Sequence, residues 1–313
     1  MRAFFNASTN ALNQITRLFI FTWGTDAAIW NLRWQYRGLK NEIGTTHGEE
    51  TIKKRLIEGS GINGVDFNSY YDKLTWEDHQ EELTKYVLFV LFSVYESWLE
   101  ELAEVFGIKS DTTKHEFVKG FQFITDPKKK SDIKINLKKY VKNDSSILSI
   151  LASAYQQSNK QKKISNIDNT FIAYRLFKEI RNTLIHGNTG ADKELVLLYS
   201  KYASLSNTDL GLKEKPFVHP IILGNPIITD LRGVVGFSEI LIRILLYIDN
   251  ELMKNSKFEK LFVLKTTEVI AGIKDEKDKL KIKKIHWKLH FDFGYPNNKI
   301  NELEVFLKSK NII

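Results

Sequence analysis

Three side chains suited to phosphate chemistry stand close together in the string YRLFKEIRNTLIHGN, residues 174–188: Arg181, Asn182 and His186. Histidine is the side chain whose ordinary pKa lets it take or give a proton near neutral pH. A guanidinium stays charged and offers planar donors to phosphate oxygens. Together they suit cleavage of RNA by its own 2′-hydroxyl, which needs proton transfer and positive charge beside the phosphorane, and needs no metal. In that reading His186 is the acid/base, Arg181 clamps the phosphate, and Asn182 orients the imidazole or the phosphate. Glu179 fixes the histidine tautomer or holds an arginine in place.

The string must be helical for this spacing to matter. Phe171, Ile172, Tyr174, Leu176, Phe177, Ile180, Leu184 and Ile185 recur at helical spacing. Asp168, Asn169 and Thr170 are good N-cap types, and Gly187 is a good stop. On such a helix Arg175, Glu179, Asn182 and His186 follow at steps of four, three and four, and so stack on one face. Arg181 lies about 100° away around the axis, within reach for a long side chain. A histidine at a helix C-terminus also has a plain structural role, meeting the dipole and the last carbonyls.

The Arg181-Asn182-x-x-x-His186 spacing resembles the signature of the HEPN superfamily, whose members are mostly metal-independent RNA-cutting enzymes. The resemblance implies a helical bundle in which an early, strongly apolar helix packs against the motif helix. Residues 76–106 supply a candidate. They open on a capping-box-like pattern, Thr75 to Asp78, and end at Gly107, with an apolar centre from Tyr86 to Tyr95. Glu96, in "VYESWLEEL", stands where several HEPN families carry an acidic residue. It faces the active site, or it begins the solvated end of the helix with Glu100, Glu101 and Glu104. Asn188 replaces the Tyr that a subset of the family carries two residues after its His, so silencing through tyrosine modification is not supported.

The resemblance covers roughly residues 76–256 and implies further properties. The fold is expected to be mainly α: a HEPN-like bundle with an N-terminal helical extension, 1–75, and a C-terminal segment, 257–313, with strands. Within the bundle, 111–165 reads as a polar, basic insertion of short helices and loops, broken at Asp126-Pro127. The activity implied is endoribonucleolytic, leaving 2′,3′-cyclic phosphate and 5′-hydroxyl ends, in a toxin or anti-phage effector. Two copies would pair so that two motifs face one cleft, and an antitoxin or other defence protein would be a partner. The alternatives are a non-catalytic HEPN-like module binding RNA, a nucleotide or a protein, and a scaffold within a larger defence complex.

Composition narrows the field. The 313 residues are 42% hydrophobic and 12% aromatic, enough for a packed core. With no cysteine, disulfides, thiolate zinc sites and cysteine nucleophiles are excluded, which fits a cytoplasmic location. The apolar runs YVLFVLF and ILIRILLYI fall far short of the roughly 20 residues a bilayer needs, and Asn6, Asn10, Asn13 and Gln14 interrupt any signal-peptide core. No membrane association, cofactor or metal is expected. The net charge is +8 and permits an acidic partner.

The lysines cluster. Lys128, Lys129, Lys130, Lys134, Lys138, Lys139 and Lys142 crowd one stretch beside Tyr140, and Lys160, Lys162 and Lys163 precede the motif helix. Such lysines suit RNA contact, though charge runs are usually solvated faces. A second cluster runs from Lys277 to Lys288, near His286 and Trp287. There KIKKIHWKLHFDF partly alternates charge with bulk, as one or two strands would. His286 and His290 lack a third ligand for a metal.

Elsewhere, Trp23, Trp30 and Trp34 read as core packing of aromatic-rich helices that dock on the body. The glycines from Gly59 to Gly64 read as a linker, because no Lys-Ser/Thr follows as in a phosphate loop. Residues 189–228 carry turn signals and brief apolar runs that could be strands. Residues 230–255 read as a last bundle helix with Leu241, Leu245 and Ile248 on one face.

Overall fold

Helical periodicity governs nearly the whole chain. The computed structural model describes every residue except 2, 44–47, 123–131, 142, 165, 188–189, 272, 274–277, 294 and 313. The helices are α1 (Asn6–Ile43), α2 (Gly48–Ile57), α3 (Trp76–Val105), α4 (Asp111–Phe121), α5 (Asp132–Tyr140), α6 (Ser146–Ser158), α7 (Ile167–Ile185), α8 (Lys193–Ala203), α9 (Asn207–Leu210), α10 (Leu231–Leu252), α11 (Glu259–Ala271), α12 (Asp278–Phe293) and α13 (Ile300–Ser309). The fold is mainly α, and among the described residues the only β pairings are two isolated bridges, Asp144 with Asn255 and Ala191 with Leu223.

The core forms where α3, α7 and α10 pack together with the first half of α1. α3 opens on the expected capping box: Thr75 accepts from the Asp78 amide, and the Asp78 carboxylate accepts from the Thr75 amide. Its centre is buried through Val87, Leu88, Leu91 and Phe92. α10 buries Leu241, Leu245 and Ile248 completely, as their shared face requires. Two glycines let α10 approach the extended segment before it. A Cβ on Gly233 would lie 2.1 Å from the Phe217 carbonyl oxygen, and one on Gly236 2.9 Å from Pro216 Cα.

Several sequence expectations are corrected. Residues 281–293 form the C-terminal part of helix α12, not strands. Ile282, Ile285, His286 and Leu289 are buried at steps of three, one and three, a helical stripe that the charge–bulk alternation concealed. Among the described residues, the apolar runs in 189–228 pair only through the bridge from Ala191 to Leu223. The expected insertion at 111–165 contains a core element, since α6 buries Ile147, Leu148, Leu151, Ala152 and Tyr155. The N-terminal region, 1–75, packs partly on the main core and partly on itself. Ala7, Ala11, Leu12, Ile15 and Leu18 of α1 belong to the main core, while Tyr36 joins Ile52, Phe67 and Tyr71 in a small second cluster.

The tryptophans are exposed rather than core. Trp23, Trp30 and Trp34 are 50%, 43% and 54% accessible, because the second half of α1 turns a different face, with Arg33 and Tyr36, toward its neighbours. Trp30 packs edge-on against Trp34 and Trp76, at 5.7 and 4.9 Å between ring centroids. No helix among the described residues is long and apolar enough to cross a membrane.

Candidate functional site

α7 begins two residues earlier than its sequence suggests. Asn166 is the N-cap, its Oδ1 accepting from the amides of Asp168 and Asn169 at 3.0 and 3.3 Å. The helix packs on α3, α8 and α10 and ends at Ile185. His186 is the C-cap, its amide donating to the Asn182 carbonyl at 3.1 Å. Gly187 then takes φ 87°, a left-handed conformation that favours glycine, and turns the chain away. This termination leaves the His186 imidazole exposed at the helix end.

Arg181, Asn182 and Glu179 form a relay. Arg181 Nη1 donates to Asn182 Oδ1 at 3.2 Å, and Asn182 Nδ2 donates to Glu179 Oε2 at 3.4 Å. The amide thus turns its acceptor to the cation and its donor to the carboxylate, the orientation electrostatics requires. Asn182 therefore orients the arginine rather than the imidazole. Glu179 holds the arginine through Asn182, and among the described residues its side chain makes no hydrogen bond or ion pair with His186.

Arg181 is half-buried. Its Cζ lies 5.9 Å above the Phe92 ring of α3, and its Nε is buried with no hydrogen-bond partner. Among the described residues it forms no ion pair. That Nε has no accessible surface, so an anion reaching the guanidinium would meet its terminal nitrogens.

The expected acidic residue of α3 does come toward α7. Glu96 is half-buried, and its charge acts on the buried Tyr174 and Lys178 of α7, while Glu100 and Glu104 of the same helix are exposed. Arg181 acts on the same two groups. Glu101 is half-buried as well, and among the described residues no hydrogen bond or ion pair joins Glu96 to Arg181 or His186.

Lys178 was not singled out by its sequence. It is 9% exposed, and its Nζ donates to the Gln122 carbonyl at 3.3 Å. Burial pushes its ammonium down to about 8, with Arg181 and Arg175 adding to the fall and Glu179 and Glu96 opposing it. The signal was present: Phe171, Tyr174, Lys178 and Arg181 recur at steps of three, four and three, so a lysine occupies the apolar stripe of an amphipathic helix. Long cationic side chains at such places are usually read as snorkelling to solvent.

The polar stripe of α7 lines a shallow cleft against α8, where Arg175 and Glu179 face Glu194, Leu197, Leu198 and Lys201. Asn182 continues the stripe through its bond to Glu179, and His186 lies one turn further on. Neither Arg181 nor His186 lines this cleft.

The lysines expected to bind RNA are dispersed. Lys138 and Lys139 are exposed on α5, with Lys139 Nζ 5.6 Å over the Tyr140 ring. Lys162 pairs with Glu239, and both Lys162 and Lys163 line a separate cleft beside α10. Lys128, Lys129, Lys130, Lys142 and Lys277 lie outside the described residues, as do Asn188, Asp126 and Pro127. His286 and His290 meet backbone carbonyls instead of converging. Their ring nitrogens lie 3.0 Å from the Pro296 oxygen and 2.7 Å from the Tyr295 oxygen. No group of three or more metal-binding side chains occurs among the described residues. In comparison with known proteins, the chain matches no family model, no curated protein and no solved structure.

Proposed function

We propose that the chain is a HEPN-type endoribonuclease that cuts RNA without metal, on a HEPN-like helical bundle. The observation that carries the reading is the half-buried Arg181, oriented by Asn182 and without a carboxylate partner among the described residues, five residues along the chain from an exposed histidine. In the reaction the substrate 2′-oxygen bonds to phosphorus and the bond from phosphorus to the 5′-oxygen breaks. One group removes the 2′-hydroxyl proton and another protonates the departing 5′-oxygen, leaving a 2′,3′-cyclic phosphate and a 5′-hydroxyl. Arg181 stabilises the charge on the non-bridging oxygens.

A single His186 serves one side of an in-line displacement. A homodimer presenting two motifs to one groove would supply both acid and base. Such an enzyme, acting in the cytoplasm as a toxin or anti-phage effector, would need a partner protein or a trigger to restrain it.

The second reading is a non-catalytic HEPN-like module that holds RNA, a nucleotide or a protein. It is favoured by the arginine's seat over Phe92 and by the absence of both motif side chains from the α7–α8 cleft. Labelled RNA incubated with the protein in EDTA separates the two. The nuclease reading expects cyclic-phosphate products from the wild type and none from His186→Ala or Arg181→Ala. Equal cleavage by His186→Ala, or RNA binding with no cleavage by the wild type, leaves the binding module.

A further inference from the structure

The second half of α1 has its polarity reversed. Between Arg17 and Arg37 its only charged residues turn to the body: the Asp26 carboxylate accepts from Gln80 Nε2 at 3.3 Å, and the buried Arg33 donates from Nη1 to the Leu74 carbonyl at 3.1 Å. Every exposed residue between those two arginines is uncharged, in a chain that is 27% charged. Ile20, Trp23, Ala27, Trp30 and Trp34 stand on this outer side at alternating steps of three and four. Such a step is the seam along which one helix runs against another, so the stripe fits a helical occupant.

The stripe is preformed. Trp30 rests edge-on against Trp34 and Trp76, and the Arg37 guanidinium lies 5.7 Å over the Trp34 ring. Rings already held in place lose little freedom on contact. The pattern is also symmetric about Ala27. A bulky residue stands seven positions away on each side, Ile20 and Trp34, and an indole stands three or four positions away, Trp23 and Trp30. The centre between them is small, and a Cβ on Gly24 would meet nothing within 4 Å. A two-fold axis at Ala27 therefore lays the indoles of one copy over the small centre of the other. Three half-exposed indoles and Ile20 present roughly 450 Å² of apolar surface, near the largest patch a monomer usually shows. Doubled across a two-fold axis, with the small residues between, this reaches the approximately 1,000 Å² that a specific interface requires. The net charge of +8 makes two copies repel, so a face without exposed charge is where they can meet. Between its ends the same face offers no cation to a nucleic acid or an anionic lipid.

We propose that two copies of the chain pair through this stripe, α1 against α1 in antiparallel orientation, about a two-fold axis at Ala27. The stripe contains no residue of α7, and the pairing does not depend on the nuclease reading.

The test is sedimentation velocity of the full chain over a concentration series. The wild type is expected to be a dimer at about 100 μM, as a micromolar dissociation constant requires. Ala27→Glu sets two carboxylates face to face across the axis, and Trp23→Ala removes a central anchor. Each should weaken the dimer about tenfold or more. Both positions are exposed, so the circular-dichroism spectrum should not change. A cross-link gives a second measurement that does not rely on disrupting the contact. The chain has no cysteine, so Ala27→Cys is its only thiol and should join to its own copy through a short bis-maleimide. Lys201→Cys, exposed on α8, should not. A wild type that stays monomeric at about 100 μM overturns the proposal. So does a dimer that Ala27→Glu leaves intact, or one that Ala27→Cys does not cross-link, because another face then holds it. Binding of monomeric wild type to phosphatidylcholine vesicles would assign the stripe to a membrane and overturn it as well.

Discussion

Arg181 donates from Nη1 to the side-chain oxygen of Asn182, its neighbour in the chain, at 3.2 Å. Successive residues on a helix point about 100° apart, so this bond bends the arginine from the α3 side of α7 toward the polar stripe. The amide spends its other end on Glu179. Removing the relay therefore changes where the cation points without removing it. Asn182→Ala is expected to slow single-turnover RNA cleavage by about 10- to 100-fold, the scale of misplacing a positioned group. Its melting temperature should barely move. An unchanged rate would mean that Asn182 has no part in placing Arg181.

The guanidinium itself is expected to be irreplaceable by an ammonium. Lysine keeps the charge but has no planar fork with which to reach both Asn182 and a phosphate. Arg181→Lys should therefore lose nearly as much cleavage as Arg181→Ala. Activity near the wild-type level in the lysine variant would reduce the role of Arg181 to simple charge.

Lys178 makes stability depend on alkaline pH. Its folded pKa, about 8, lies below the ordinary lysine value of 10.5 because burial penalises the ammonium. Between those values the unfolded chain holds more protons than the folded one, so this group makes the fold more stable as pH rises from about 8 to 10.5. Below pH 8 the buried charge costs on the order of 1–3 kcal/mol. Lys178→Met should be neutral or stabilising at pH 7 in denaturant unfolding, and should flatten the alkaline rise. A destabilised variant at pH 7 would show that the bond to Gln122 outweighs desolvation.

Asp249 gives the opposite dependence at acid pH. The carboxylate is fully buried in α10 and accepts from the Phe4 and Phe5 amides at 2.7 and 3.2 Å, fixing the start of α1. Burial pushes it up to about 6, against the lowering effect of those bonds and of Lys265. Because the folded value exceeds the ordinary 3.8, the folded state keeps its proton longer. This group's contribution is then largest below about pH 4 and falls as pH rises through 6, by on the order of 2–3 kcal/mol. The difference in unfolding free energy between wild type and Asp249→Asn should shrink across that window. A difference that grows instead would mean that the two amide bonds dominate burial.

Close packing at the start of α10 leaves no room for a side chain at Gly233, where a Cβ would meet the Phe217 carbonyl oxygen at 2.1 Å. Gly233→Ala should cost about 2–4 kcal/mol in denaturant unfolding, because the obstacle is backbone. A loss under about 1 kcal/mol would show that the 216–218 segment shifts freely.

Local chemistry made α7 and its polar stripe legible in the sequence. Side chains at steps of three and four share a helix face wherever the helix lies, and Gly187 ends it whatever surrounds it. The capping box of α3 and the apolar face of α10 were legible for the same reason. α12 was not, because lysines between bulky residues satisfy a two-residue and a 3.6-residue repeat alike until neighbours bury one set. The exposure of the α1 tryptophans was not legible either, because bulk alone does not say which face of a long helix meets a partner.

Only the tertiary structure decided that Lys178 is buried with its ammonium on the Gln122 carbonyl, that Arg181 lies over Phe92 of α3, and that Asn250 is left without a donor. Each depends on residues far apart in the chain brought together by packing. Burial, which sets the cost of an unpaired charge or amide, is a property of the neighbours and not of the residue.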